Sequence, residues 1–418
     1  MDQFLLLLYD LGIRVYGLLI RIASPFSKKA SEWISGRRAW KKRARKNQFV
    51  ERPAWIHCSS LGEFEQGRPL IDKIKEQFPD IPILLTFYSP SGFKVRQNYG
   101  RVDHVDYIPL DSRSNAQFFV KHWDPRIAIF VKYDLWFNHV KSLEDRNIPI
   151  YLISAIFSED DFYFQWYAHP FLEMLHRIDQ FFVQDENSRS VLNDHSIDQV
   201  SVVGDTRLDR VLQIADRARD VDSIKSFCAN EKVIIAGSTW PKDEELLFEW
   251  IRQYETSEFD KLLIVPHELK ENHLKFIEKN CPRDTVRYSN YSEEDADKVV
   301  MIVDKIGILS IIYRYARLAY IGGGFGAGIH NILEAAAYKI PVIFGPNYEK
   351  FKEAHDFIEM EVAQSVSSAE ETQNAVHFLL KKQERGWIDK QLEDYFTSSG
   401  GATNLIFEFI DDHFEEVQ

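Results

Sequence analysis

The chain has 418 residues, 45% of them hydrophobic, only three cysteines and a net charge of −13. That length holds two α/β domains with real cores, and the negative balance argues against a nucleic-acid binder with a basic face. Cys58, Cys228 and Cys281 are far apart and match neither metal-ligand nor disulfide spacing. They read as inert thiols in a reducing compartment.

Taken in order, the first feature is a stretch from Phe4 to Phe26 built mostly of Leu, Ile, Val and aromatic residues. Its charges, Asp10, Arg14 and Arg21, fall with Gly17 on one narrow stripe of a helix. A membrane-spanning helix tolerates such a stripe poorly, whereas a helix lying in the interface accommodates it. No small-residue cleavage site follows, so the segment does not read as a signal peptide. Next comes Arg37 to Lys46, RRAWKKRARK, with seven positive charges in ten residues. Beside a membrane such a cluster marks the cytoplasmic side and attracts anionic lipid. The plainer alternative is an amphipathic core helix followed by a solvated basic turn.

From Ala54 onward, apolar runs alternate with helical patterns. AWIHCSS, IPILLTFYS, HVDYIPL, RIAIFVKYD, PIYLISAIF, QFFVQD and QVSVVGD each predict a buried strand. Their spacing leaves room for helices, which implies βαβ units and a parallel sheet. Asp205 to Asp222 turns charged and helical, as a hinge region would. A second series follows: KVIIAGST, KLLIVPHE, DTVRYS, KVVMIVD, LAYIGGG and PVIFGP. The economical architecture is α/β, with two doubly wound (Rossmann-like) domains facing a cleft and ligand at the strand ends. The boundaries predicted are an N-terminal anchor and basic segment over 1–47, a first α/β domain over 48–215, and a nucleotide-binding α/β domain over 216–418. The last helix is expected to pack back on the first domain.

Chemistry is expected where the strands end. In the first domain Glu63 follows Ser59-Ser60-Leu61-Gly62 at a loop-to-helix junction, placed to aim a carboxylate into a cleft; as a plain alternative it favours a helix N-terminus. Lys132 and Asp134 end another strand, and Arg207, in GDTRLD, lies at the domain border. In the second domain Gly237-Ser238-Thr239 offers N–H and hydroxyl donors, while Pro241 to Glu245 reads as a helix start. Pro266-His267-Glu268 ends the next strand. Asp295-Ala296-Asp297 has the D-x-D form of metal-dependent sugar transferases but sits in a polar, solvated loop. Without H-E-x-x-H, C-x-x-C or Walker patterns, no metal and no cofactor are expected.

The stretch Leu318 to Phe351 carries the most information. A short strand leads into glycines 322, 323, 324, 326 and 328; His330 and Asn331 then open a helical stretch, ILEAAAYK. Strand, glycine loop and helix start form an arrangement that holds phosphate, and Glu334 is placed to accept hydrogen bonds from ribose hydroxyls. Asn331 and Glu334 also fit a capping box. A dinucleotide site is the weaker competitor, since no acidic residue follows at the required spacing.

Together these stretches resemble the Kdo transferases, which add 3-deoxy-D-manno-oct-2-ulosonic acid to a lipid A precursor. The resemblance rests on the N-terminal segment, CSSLGE, KYDLWFN, GDTRLD, AGST, PHE, DKIGIL and HNILEAAAYKIPVIFGP in the family's order. It implies a metal-independent, inverting GT-B glycosyltransferase acting in lipopolysaccharide synthesis on the cytoplasmic face of the inner membrane, with CMP-Kdo as donor and a lipid IVA-like acceptor. It places Glu63 on the family's general base, with Lys132, Asp134 and Arg207 as further catalytic positions. It places Ser238, Thr239, His267, Glu268, Ile306, Gly307, Ile308, His330, Asn331, Ile332, Leu333 and Glu334 on donor-binding segments. Lys132 stands where many members have glutamate, and His267 replaces an arginine.

Overall fold

The computed structural model describes residues 2–229, 231–254 and 258–415, with side chains from Leu6 onward. The chain divides into two compact units, Met1–Arg210 with Ser399–Gln418, and Val211–Ser398. The division falls inside the helix Thr206–Arg217.

The first unit holds a seven-stranded parallel sheet: β1 (Ala54–Cys58), β2 (Ile83–Phe87), β3 (His104–Tyr107), β4 (Ile127–Val131), β5 (Ile150–Ala155), β6 (Gln180–Val183) and β7 (Val200–Val202). The spatial order is β3-β2-β1-β4-β5-β6-β7. β1, β2, β4 and β5 are buried at every residue, which is why they read as continuous apolar runs rather than alternating ones. One face packs Trp55, Phe119, Phe130 and Phe181; the other packs Ile56, Phe64, Phe87 and Ile129. That second face also takes in Ala402, Ile406, Phe407 and Ile410 of the C-terminal helix Ala402–Ile410. Asp209 holds the start of this helix, accepting hydrogen bonds from the backbone N–H of Gly401 and Thr403, both at 2.6 Å.

The second unit holds another seven-stranded parallel sheet: β8 (Val233–Thr239), β9 (Lys261–Pro266), β10 (Thr285–Arg287), β11 (Val300–Ile302), β12 (Leu318–Ile321), β13 (Val342–Phe344) and β14 (Ala363–Ser365), in the order β10-β11-β9-β8-β12-β13-β14. The thirteen apolar runs all became strands. β14, AQS, carries no hydrophobic pattern and is specified by its pairing with β13. In each sheet the strand order reverses beside the first strand of the unit, between β1 and β4 and between β8 and β12. Doubly wound sheets bind ligands outside the strand carboxyl ends at such reversals. This directs attention to the loops after these four strands.

The N-terminal segment forms the helix Asp2–Ala23. Leu6 and Tyr9 pack against the first unit's core, and the Tyr9 hydroxyl donates to fully buried Asp111 at 2.6 Å. Asp10 accepts from Asn138 Nδ2 at 3.1 Å, and a Cβ at Gly17 would lie 2.8 Å from Leu110. Half of the polar stripe therefore faces the protein. The exposed face carries Leu7, Leu11, Val15, Leu18 and Ile22 instead. Among the described residues no helix is long and apolar enough to cross a membrane.

The basic run is only partly a solvated cluster, which corrects its sequence reading. Arg37 is 8% exposed, donates to the carbonyls of Ile108 at 2.9 Å and Tyr88 at 2.7 Å, and lies 4.0 Å from the Trp33 ring centroid. Burial pulls its pKa down to about 10. Arg43 pairs with Asp106 at 2.7 Å. These two arginines bind the helix Lys28–Arg37 and its successor, Trp40–Ala44, to the sheet.

Candidate active site

The first unit's site grows from the reversal between β1 and β4. The chain leaves β1 through Ser59 and Ser60 and enters the helix Leu61–Gln77, whose N-cap is Ser60. Glu63 closes a capping box there, its carboxylate accepting from the backbone N–H of Ser59 and, at 3.2 Å, of Ser60. The plain helix-start reading of Glu63 is thus correct, and it leaves the carboxylate at the strand end. Burial first, then the charge of Asp134, pushes the Glu63 pKa above the usual carboxylate range, against the opposing backbone hydrogen bonds and His57. A carboxylate tuned in that direction is closer to a neutral-pH base.

Asp134 comes from the turn after β4, where Lys132 adopts φ +62°. Its carboxylate accepts from His57 Nε2 at 2.9 Å and from Trp136 Nε1 at 3.3 Å. Burial opposes the Asp134 charge, but the hydrogen bond and electrostatic attraction of His57, with the Trp136 and Ser59 bonds, outweigh it, and its pKa lies below the usual range. Two carboxylates at one reversal are therefore pushed apart, the pattern expected where acid–base roles divide. Arg207, after β7, donates through Nε to Asp205 at 2.7 Å and makes a second contact through Nη2 at 2.6 Å.

In the second unit Ser238, one residue before the end of β8, adopts φ +55°, at a local shift in register against β9. The Thr239 hydroxyl, expected as a free donor, instead donates to buried Glu244 at 2.8 Å. The glycine loop after β12 also has a structural reason. A Cβ at Gly322 would lie 2.3 Å from the Ser238 carbonyl oxygen, and one at Gly324 would lie 2.6 Å from the Gly345 Cα. Asp243, read from sequence as part of an ordinary helix start, is fully buried. It accepts from Trp240 N–H and Gly323 N–H, both at 2.9 Å, and from the Tyr320 hydroxyl at 2.8 Å.

Beside this loop His267 and His330 stack with ring centroids 4.5 Å apart, and Trp240 stacks on His267 at 4.7 Å. The helix predicted over ILEAAAYK is a single turn, Leu333–Ala336, with Ile332 rather than Asn331 at its N-cap. Asn331 forms a local turn instead, accepting from Leu333 N–H at 3.1 Å and donating to Glu334 at 3.3 Å. Leu333 and Ile332 are buried and support the turn from below. Glu268 pairs with Lys270 at 2.6 Å. Gly307 adopts φ +86° between exposed Ile306 and buried Ile308. Asp295 caps a short 3-10 turn, and among the described residues no His, Cys, Asp or Glu cluster could hold a metal ion.

Sequence reasoning missed His57, Trp240 and Asp243. Two had a signal, His57 as a polar residue inside an otherwise apolar strand and Asp243 as an acid three residues beyond a cap; Trp240 had none.

The stack fixes the chemistry of His330. Trp240 Nε1 donates to His330 Nε2 at 3.1 Å, and an indole N–H is only a donor. Nε2 must hold a lone pair, so the ring is neutral with its proton on Nδ1. Burial, then His267, keeps the His330 pKa below its ordinary 6.5. A base with a depressed folded pKa stabilises the fold fully above its unfolded value, and this is lost as pH falls through the folded one. Histidine-selective ¹⁵N NMR is expected to find the Nδ1–H tautomer at pH 7 and a midpoint below 6.5. An Nε2–H tautomer would contradict the hydrogen bond.

Residues 34–210 match the family model described as 3-Deoxy-D-manno-octulosonic-acid transferase (kdotransferase), and the match ends at Arg210, where the first unit's main segment ends. The 3-deoxy-D-manno-octulosonic acid transferase of Rickettsia bellii is 25% identical over 88% of this chain and 88% of its own length. That of Haemophilus influenzae is 27% identical over 79% of each. Among solved structures, the UDP-GlcNAc 2-epimerase of Neisseria meningitidis bound to UDP-GlcNAc covers 86% of this chain and 100% of its own, with TM-score 0.59 and 16% identity. A glycosyltransferase from Rickettsia africae covers 88% and 100%, with TM-score 0.55 and 11% identity. These two likenesses identify the fold as GT-B-like. Over most of its length the chain is similar to the 3-deoxy-D-manno-octulosonic acid (Kdo) transferases, and it is a glycosyltransferase.

Proposed function

We propose that this chain transfers Kdo from CMP-Kdo to a lipid IVA-like lipid A precursor, with inversion at the anomeric carbon, at the cytoplasmic face of the inner membrane. The observation that carries the reading is Glu63, a partly buried carboxylate at a strand-order reversal whose pKa is raised beside an ionised Asp134. Inverting transfer needs a base for the acceptor hydroxyl on the sugar face opposite the nucleotide, and Glu63 has the chemistry for it. The oxocarbenium-like centre and the departing phosphate need compensating charge. Lys132 and Arg207 are assigned there, with the Ser238 hydroxyl and the His330 Nδ1–H as donors to phosphate. Glu334, joined to Asn331, is assigned to the ribose hydroxyls of CMP. His267-Glu268, Ile306-Gly307-Ile308 and Ile332-Leu333 border the nucleotide. Thr239 is assigned a supporting role through Glu244. The reading requires neither metal nor cofactor.

The exposed leucine face of the helix Asp2–Ala23 supports membrane association, because so large an apolar stripe is costly in water. Of the basic run, Arg38, Lys42, Arg45 and Lys46 are exposed and are the residues assigned to anionic lipid.

Incubation with CMP-Kdo and a lipid A precursor is expected to give, by mass spectrometry, acceptor carrying added Kdo. Glu63→Gln retains an oxygen for the Ser59 and Ser60 N–H groups, so the cap survives while the base is lost. Turnover should fall about 10²–10⁴-fold; a variant within about threefold of the parent would remove Glu63 as the base.

Vesicle sedimentation separates the two parts of the membrane surface. Leu11→Asp with Leu18→Asp is expected to abolish binding at every salt concentration. Neutralising Arg38, Lys42, Arg45 and Lys46 should remove only the salt-sensitive part. Unchanged binding by the leucine variant would contradict the interfacial helix.

A further inference from the structure

His57 is 1% exposed on β1, an apolar strand where a polar side chain has no packing reason to be. Its two ring nitrogens are both engaged: Nδ1 lies 2.8 Å from Thr86 Oγ1 on the paired strand β2, and Nε2 lies 2.9 Å from Asp134 Oδ2. The same Thr86 oxygen accepts from Trp55 Nε1 at 2.8 Å. Donor and acceptor capacities give this chain a direction. The ionised Asp134 carboxylate can only accept, so that contact fixes a proton on Nε2; at the other end the indole donates to Thr86 Oγ1, which can meet Nδ1 as donor or as acceptor. Nε2 donates its proton to Asp134, which also takes the Trp136 N–H at 3.3 Å. The rings of Trp55 and Phe130 enclose the imidazole, with centroids 6.5 and 5.8 Å away.

We propose that His57 is a positioning residue for transfer, held between Thr86 and Asp134 with a proton on Nε2 so that Asp134 stays ionised and fixed beside Glu63. The proposal rests on Glu63 being the base. The charge that Asp134 holds there is one of the two causes that raise the Glu63 pKa, the other being burial. His57 does not touch the reacting atoms. It acts by keeping the second carboxylate from taking up the proton that Glu63 must take.

Other titratable groups face this pair. Cys58 and Tyr133 lie near Glu63, and Tyr88 and Tyr163 lie near Asp134. Burial drives all four upward, so they remain neutral through the range in which Glu63 titrates. Asp134 is therefore the anion in this set whose charge Glu63 meets, and the His57 hydrogen bond sets how firmly that charge is held.

The test is the pH dependence of kcat/KM for the full chain, with CMP-Kdo and lipid A precursor, in the parent, His57→Leu, His57→Gln, Asp134→Asn and the double variant His57→Leu with Asp134→Asn. Losing the Asp134 charge lets Glu63 ionise more easily, so Asp134→Asn should move the acidic limb to lower pH and lower the plateau about 3- to 30-fold, as Brønsted behaviour gives for a weaker base. His57→Leu removes both the direct lowering effect of His57 on Glu63 and the bond that holds the Asp134 charge; the second loss is expected to dominate and move the limb in the same direction, and in the Asp134→Asn background His57→Leu should lower the limb no further. His57→Gln, whose amide N–H can replace Nε2–H, should stay near the parent. Equal loss in His57→Leu and His57→Gln with no movement of the limb would make His57 merely structural and overturn the proposal. ¹⁵N NMR of the parent supplies a readout that needs no substitution: an Nδ1–H tautomer for His57 would also overturn it. Glu63→Gln separates the two failures. If that variant stays active, the base assignment falls first; if it is inactive while the limb ignores His57→Leu, only the relay falls.

Discussion

A carboxylate taken out of water at the end of a parallel strand must find donors or give up its charge. Both units meet this constraint at the loop after their first strand, and they resolve it differently. Asp243 is enclosed completely by two backbone N–H groups and the Tyr320 hydroxyl, and so becomes the fixed point on which the glycine loop hangs. Burial raises the pKa of both acids, but Glu63 receives N–H groups only from its own turn and stays partly open. Full satisfaction makes scaffold, and partial satisfaction leaves a group able to exchange a proton. That difference, rather than residue type, separates the two acids.

The N-terminal segment divides in a similar way. Arg37 and Arg43 are consumed by carbonyls, aromatic faces and Asp106, which ties the short helices to the sheet. Tyr9 and Asp10 do the same for the first helix. What remains outward is a leucine stripe flanked by the unspent cations. Structural arginine and surface arginine are interleaved within ten residues, so charge density alone overstates how much of the run is available to lipid.

Much of the fold was legible because parallel strands buried on both faces leave continuous apolar runs that helices separate. The failures have local causes. β14 is too short and polar to show a period, and its pairing with β13 decides it. The turn at Asn331 took the place of a helix because its side chain bonds its own backbone two residues on. Glu63 was legible as a position but not as a tuned acid, since its tuning comes from Asp134, far along the chain. His57 was visible only as one polar letter in an apolar strand. Its meaning depends on Thr86 and Asp134, which sequence order does not bring together.

Proton transfer at this site turns on the state of one side chain, and a direct titration of it is the sharpest check. Carboxylate ¹³C NMR of the glutamate-labelled chain, assigned by difference against Glu63→Gln, reads the Glu63 pKa without reference to substrate. A Glu63 tuned by burial and Asp134 is expected to titrate with a midpoint above the ordinary glutamate value of 4.5 that falls in Asp134→Asn. A Glu63 that titrates at or below 4.5, indifferent to Asp134, would be a helix cap and nothing more.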